Sequence, residues 1–437
     1  MKVTKEVLEV ENFFKLKEHN TNVKTEIVAG ITTFMTMAYI IFVNPDMLST
    51  TGMDKGALVT ATIVSAGLTT ILMGLVTNLP FALASGMGLN AFFAFTVAPQ
   101  YGWEAALGAV LISGIVFFLC GVLGIIDQID KAIPTSLKRA VAAGIGLFIA
   151  LIGLVNAGII VGDPATIVAL GNIKEPNAVV ALAGLVITAL LMARKVKGAM
   201  LIGIIITTVL GMFNGVTRVP QSLGDLVGAP ASLSPILFKL DFPGALKLGF
   251  MVIFSLVFVD MFDTLGTLMG TSARAGFLDK DGRLPQIKGA MIVDAIGTML
   301  GAVLGTSTVT TYVESSAGIS EGGKTGLTAV TTGVLFLLAL FFTPLALLVP
   351  GAATAPALII VGVLMMGAVT DIDFDDFTEA FPAFLAIAVM PFSYSIASGI
   401  SAGFIAYPLV KIAAGRAKEV HWFSYILFAI SLAYFIL

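Results

Sequence analysis

Runs of apolar residues long enough to cross a bilayer recur along the whole chain, and nothing else constrains its fold as strongly. A spanning helix needs about 20 predominantly apolar residues, because each residue rises about 1.5 Å through a hydrocarbon layer about 30 Å thick. Such runs lie near 27–43, 57–77, 105–126, 140–162, 178–193, 199–214, 249–270, 287–305, 327–349 and 355–370. Two more, 81–98 and 306–320, are too interrupted to be plain helices. The stretch from 380 onward reads as a short helix, a turn around Pro391 and Ser393–Tyr394–Ser395, a longer helix ending near Ile412, and a last apolar run from Trp422. The expectation is an all-α polytopic membrane protein of fourteen or fifteen segments. Composition agrees, with 57% hydrophobic and 12% charged residues, against about 25% charged in a soluble domain. A net charge of −3 gives nucleic acid no reason to bind. One cysteine, Cys120, excludes an internal disulfide. The two histidines, His19 and His421, sit in charged flanks, which argues against a histidine metal site or proton relay.

Short cytoplasmic loops are enriched in Lys and Arg. Lys2, Lys5, Lys15, Lys17 and Lys24 therefore put the N-terminal segment, 1–24, in the cytoplasm. Alternating from there, Lys138–Arg139, Arg194–Lys195–Lys197 and Arg274–Arg283 all fall inside. The loop "KIAAGRAKEVH" joins them if 380–412 is a hairpin of two helices. No cleavable leader is visible before the first apolar run.

Irregular backbone at membrane depth survives only inside protein or beside a cavity, since lipid satisfies no N–H or C=O group. "LPFALASGMGLNAFFAF", broken by Pro80, Gly86 and Gly88, is one candidate. "GTSTVTTYVESSAGISEGG", dense in Thr and Ser, is the other. Each is the third run counted from a matching start, "GITTFMTMAYIIFVNP" and "MVIFSLVFVDMFDTLG". Paired interruptions in two halves point to a transporter site near the midplane, and seven runs per half make the second half inverted.

Ionisable groups at that depth cost roughly 2.5–3.5 kcal/mol each on insertion scales and usually mark function. Asp260, Asp263, Asp294 and Glu314 qualify, and all lie in the second half. Asp260 and Asp263 are three residues apart and read as sharing a helix face. Glu314 ends the Thr-rich stretch, with a half-helix expected from Ser315, whose N-terminal N–H groups would face a carbonyl or carboxylate oxygen. Asn90 follows Gly88 in the first broken segment as the symmetric counterpart, and Phe92, Phe93 or Phe262 could stack on a planar ligand. Each acid also has a structural alternative, in which it bonds Ser/Thr hydroxyls or backbone between helices.

Gly318, Gly323, Lys324 and Thr325 also satisfy the phosphate-loop pattern G-x-x-x-x-G-K-[ST]. The helix that follows, "LTAVTTGVLFLLALFF", is a membrane span, so the match reads as the end of a half-helix turning into the next span.

The stretches "FFKLKEHNTNVKTEIVAGITTFMTMAYIIFVNP", "ASGMGLNAFFAF", "FVDMFDTLGTL" and "GTSTVTTYVESSAGISEGGKTGLTAV" together resemble the nucleobase/ascorbate transporter (xanthine/uracil permease) family, in its hypoxanthine/guanine/adenine permease branch. The resemblance implies fourteen segments in two inverted sevens. Segments 1–4 and 8–11 (25–128 and 244–351) would form a core domain, and segments 5–7 and 12–14 (129–243 and 352–437) a gate domain. It implies substrate between short strands of segments 3 and 10, with the family's acids falling on Asp260 and Glu314 and its third-segment polar residue on Asn90. Uracil-type relatives carry a histidine after the eighth-segment acid, where this chain has Asp263 instead. Proton symport and homodimers are further expectations of the family.

The expected function is a proton-coupled importer of hypoxanthine, guanine or adenine across the cell membrane, with no cofactor beyond the coupling proton. Glu314, Asp260, Asn90, Ser315, Gly88 and Phe262 would contact substrate; Asp260, Asp263 and Glu314 would carry the proton; Asp294 would be a structural or coupling polar group. An anion carrier of the same fold ranks lower, because four buried acids without a buried Lys or Arg make a poor anion site. An intramembrane aspartyl protease ranks lower still, because "FDTLG" lacks the Gly-x-Gly-Asp context.

Overall fold

The computed structural model describes residues 5–124, 126, 133–280 and 283–436. Lys2 and the side chains of Lys5 and Arg274, used above for orientation, lie outside the described residues. Among the described residues, ten helices are long and apolar enough to span a bilayer, and Ala199–Phe213, Phe377–Ser393 and Trp422–Ile436 are shorter apolar helices. Most spans sit where the apolar runs put them. The first differs. It is two helices, α1 (Val23–Met37) and α2 (Ile40–Ser49), which meet at a break over Ala38–Tyr39. Pro45, within α2, deprives the second piece of one backbone donor.

After α3 (Lys55–Thr77) comes the first interrupted segment, which contains strand β1 (Leu83–Ser85), the short helix α4 (Met87–Phe92) and a π-turn over Phe93–Val97. The second follows α5 (Ile287–Leu304) and contains β2 (Val309–Thr311) and the half-helix α6 (Ser315–Ser320). The strands pair antiparallel, with Leu83 opposite Thr311, Ala84 opposite Thr310 and Ser85 opposite Val309. All six residues are buried. A two-stranded ribbon has two open edges, and side chains close them here. Leu83 N–H donates to Thr70 Oγ1 and that hydroxyl donates back to the Leu83 carbonyl, both at 2.9 Å, and Ala82 N–H donates to Ser315 Oγ (3.0 Å). The Tyr312 hydroxyl donates to the Ser85 carbonyl. Hydroxyls of a neighbouring helix and of the half-helix thus satisfy backbone groups that lipid would leave unpaired.

Glycine sets the helix spacing around the strands. A Cβ on Gly326, at the start of α7 (Gly326–Leu338), would lie 2.0 Å from the Gly74 carbonyl of α3, and one on Gly333 would lie 2.6 Å from the Gly67 carbonyl. Such small-residue contacts let backbones approach where no hydrophobic force drives helices together. The second bundle is built alike. Gly146 of α8 (Thr135–Asn156) meets the Gly362 carbonyl of α9 (Gly351–Met366) at 2.9 Å from its would-be Cβ.

The hairpin expected in 380–412 is present as α10 (Phe377–Ser393) and α11 (Ile396–Ala413), turning at Tyr394 in the left-handed region. Lys411 bonds Glu379 at 2.6 Å and Arg416 bonds Asp376 at 2.5 Å, so both ends return to one face. The long connection 214–241 lies across the first bundle, with Gly228 N–H on the Phe341 carbonyl and Phe238 N–H on the Val303 carbonyl, both at 2.9 Å. An exposed hairpin, Ile160–Asp163 with Ile167–Leu170, is an element that the apolar pattern does not announce.

Candidate functional site

Between the two bundles lies a cavity of about 890 Å³, within the size range of small-molecule sites. Its walls come from the break at Tyr39, the start of α4, helix α12 (Phe250–Ala275), the end of β2, α8 and α9. It extends to Arg139 and Asp371, an exposed ion pair at 3.4 Å.

Two carboxylates face this space besides the ion-paired Asp371 at its rim. Asp263 of α12 is exposed to it, and Glu314 is half-buried at its edge. Asp260 does not reach it. Three residues on a helix amount to about 300° of rotation, which leaves two side chains about 60° apart. That difference turns Asp263 to the cavity and Asp260 toward α5, where Thr298 Oγ1 donates to Asp260 Oδ2 at 2.8 Å and the residue is 1% exposed. The shared face expected from spacing is therefore divided, and the cavity position belongs to Asp263. Asp294 is fully buried and accepts from Thr311 Oγ1 at 2.9 Å. Among the described residues, Asp260 Oδ1 and Asp294 Oδ1 have no hydrogen-bond partner.

The donors also differ from expectation. Ser315 is fully buried, its N–H donates to the Tyr312 carbonyl (3.2 Å), and its hydroxyl holds Ala82. It fastens the strands and does not face the cavity. In the first broken segment, Met87, Gly88 and Leu89 form the opening turn of α4 and line the cavity. N–H groups in a first turn have no acceptor within their own helix. Gly88 must lack a side chain, since a Cβ there would meet Ile145 Cγ2 at 2.5 Å. Asn90 is fully buried, outside the cavity wall, with both amide atoms unpartnered among the described residues. Phe262 lines the cavity, 4.6 Å from Phe258 between ring centroids, and Lys138 Nζ lies 5.1 Å from its ring. Phe92 and Phe93 are core packing.

Lysines need a correction too. Lys411 is 1% exposed, paired with Glu379 and Glu419 in the hairpin, while Lys138 and Arg139 border the cavity. Sequence reasoning had no buried base.

It also passed over two residues. Tyr39 lines the cavity and donates to Glu314 Oε1 at 2.6 Å. Glu26 is fully buried and resolves the phosphate-loop match. Its carboxylate accepts from Lys324 N–H (3.0 Å), Thr325 N–H (3.2 Å) and Thr328 Oγ1 (2.6 Å). The loop does cradle an anion, and the anion belongs to this chain. Only a tertiary signal could have shown it, since Glu26 in sequence is an ordinary flanking charge.

A bundle carrying two strand-broken segments, a second bundle facing it, and a cavity with carboxylates between them are the features of a membrane transporter. The sequence pattern of the permease family matches residues 24–435, and the chain belongs to that family, the xanthine/uracil permeases. Adenine permease AdeP of Escherichia coli is 44% identical over 94% of this chain and 92% of its own. Guanine/hypoxanthine permease PbuG of Bacillus subtilis is 43% identical over 98% and 99%, and the chain MJ0326 of Methanocaldococcus jannaschii is 51% identical over 96% of both. The protein is therefore a permease and not an enzyme. Among solved structures, the transmembrane domain of the cyanobacterial bicarbonate transporter BicA superposes with a TM-score of 0.66 at 14% identity, covering 87% of this chain and 97% of that one. That likeness establishes the core-and-gate fold.

Proposed function

We propose that the protein imports purine nucleobases across the cytoplasmic membrane together with protons. One observation carries the reading. One cavity is lined by two carboxylate acceptors, Asp263 and Glu314, by Met87–Leu89 with their first-turn N–H groups, and by Phe258 and Phe262. A planar heterocycle with alternating N–H and C=O or ring nitrogen matches that set: its N–H groups meet the carboxylates, its acceptors meet the backbone, and its face meets phenylalanine. Relatives named for adenine, guanine and hypoxanthine support the same class.

Asp263 and Glu314, open to the cavity, and Asp260, buried with Oδ1 unpartnered among the described residues, are the groups proposed to carry the proton. Neutralising a buried carboxylate removes the cost of moving it through the low-dielectric interior. The face that holds the N-terminal segment is assigned to the cytoplasm. Asn78 Nδ2 donates to the Phe14 carbonyl there (3.0 Å), Lys324 N–H donates to Glu26 (3.0 Å), and Lys197 bonds Glu321 at 2.5 Å, so the basic 194–197 loop lies beside the loop that packs on the first helix. A homodimer is carried over from the family as part of the proposal.

The test is uptake of labelled hypoxanthine and adenine by cells lacking their own carriers. Uptake should saturate, fall more than ten-fold in Glu314→Ala and Asp263→Asn, and collapse with a proton ionophore. Wild-type uptake by either variant removes the site assignment, and indifference to the ionophore removes the coupling.

A further inference from the structure

We infer that Tyr39 is a positioning residue for purine binding, holding the Glu314 carboxylate in the orientation that receives a substrate N–H; this rests on the purine reading above. Two tyrosine hydroxyls reach the cavity region, and they are committed differently. The Tyr312 hydroxyl donates to the Ser85 carbonyl and so belongs to the strand pair. The Tyr39 hydroxyl donates to Glu314 Oε1 at 2.6 Å, the short distance of a charge-assisted bond.

Glu314 needs such a partner. It sits in the turn between β2 and α6, its own side chain makes no capping bond to that helix, and it is half-buried at the cavity edge. It also borders a second, smaller cavity of about 140 Å³ shared with Thr36, Met200 and Leu364. A glutamate with open space on two sides has several rotamers available, and binding substrate would have to freeze them. Tyr39 is 2% exposed, and its ring is fixed by packing in the main core cluster. Its position exists because the first span breaks at Ala38–Tyr39. The bond crosses between the two halves, from the first segment of one to the third segment of the other. It selects one Glu314 rotamer before substrate arrives, which is preorganisation of an acceptor.

The test is Tyr39→Phe, which keeps the ring and removes only the donor, compared with wild type for hypoxanthine and adenine uptake and for equilibrium binding to purified protein. The variant should elute and melt like wild type. Its KM and Kd should rise about ten-fold, the worth of one charge-assisted hydrogen bond, with maximal rate within about two-fold. In a Glu314→Ala background, with binding read at raised ligand concentration, adding Tyr39→Phe should change Kd less than about two-fold, because alanine offers the hydroxyl no acceptor. A KM unchanged by Tyr39→Phe overturns the inference, as does an equal ten-fold loss in both backgrounds, which would make Tyr39 a packing residue. Absence of purine uptake by wild type would instead remove the reading on which the inference rests.

Discussion

Glu26 should be among the residues this fold least tolerates losing, although it lies outside the cavity. Glu26→Ala leaves Lys324 N–H and the buried Thr325 N–H without their acceptor, while the Thr328 hydroxyl can turn to the Glu26 carbonyl, 3.2 Å away. An unsatisfied buried polar group costs about 1–3 kcal/mol. Two such groups, with partial relaxation and some entry of water, give about 2–5 kcal/mol. Glu26→Gln keeps one acceptor and turns an amide N–H₂ toward a donor, so it should lose about 1–3 kcal/mol, between alanine and wild type. The assay is thermal unfolding of purified protein in mild detergent, read together with the half-life at a fixed temperature, because unfolding of such a protein is not reversible. The order wild type, Gln, Ala is expected in both, with Lys324→Ala close to wild type because only its backbone takes part. A Glu26→Ala protein as stable as wild type would refute the reasoning. ATP binding that depends on Lys324 would refute it more pointedly, since the loop would then hold an external phosphate.

Three further outcomes follow from the same geometry. Asp263→Asn should raise the KM for purine at least ten-fold with little loss of stability, whereas Asp260→Asn should lower stability more than it raises KM; paired uptake and melting measurements decide, and the reverse pattern would restore Asp260 to the cavity. Gly326→Ala forces a Cβ to within 2.0 Å of the Gly74 carbonyl, an overpacking that costs about 1–3 kcal/mol and should appear as a lower melting temperature. At the hairpin end, bonds from Arg416 and Lys411 depress Glu419 to about 2 from an ordinary 4.5, and hydrogen bonds from Thr378 and Arg416 hold Asp376 well below the usual carboxylate range. A depressed carboxylate stabilises above its unfolded value and loses that contribution as pH falls toward the folded one. Arg416→Ala should therefore melt below wild type at pH 7, with the gap closing between about pH 4.5 and 2.

How much of this could be read before the structure depends on whether a feature is local. The interrupted segments were legible because Pro80, Gly86, Gly88 and the Thr-rich run contradict a plain span within a few residues of themselves. That each holds a short strand came only from the family resemblance, and the pairing of the two into one ribbon is visible only in the structure. The division between Asp260 and Asp263 was not legible, because a 60° difference in helix phase means nothing until the neighbours of α12 are placed. Tyr39 was hidden for a related reason: its apolar flanks read as continuous helix, and the break becomes visible only with backbone coordinates. Glu26 and the phosphate-loop pattern are the sharpest case. The motif reported correctly that a loop of free N–H groups exists, and only the fold could say that a residue about 300 positions earlier already fills it.

The central claim is that this cavity recognises a neutral planar base. Competition of labelled hypoxanthine uptake by a panel of purines, pyrimidines and inorganic anions tests it most directly. Purines should compete strongly, pyrimidines weakly, and sulfate, bicarbonate and dicarboxylates not at all. Competition by the anions, with none by adenine or guanine, would contradict the account and give the site to the chemistry of its structural neighbour.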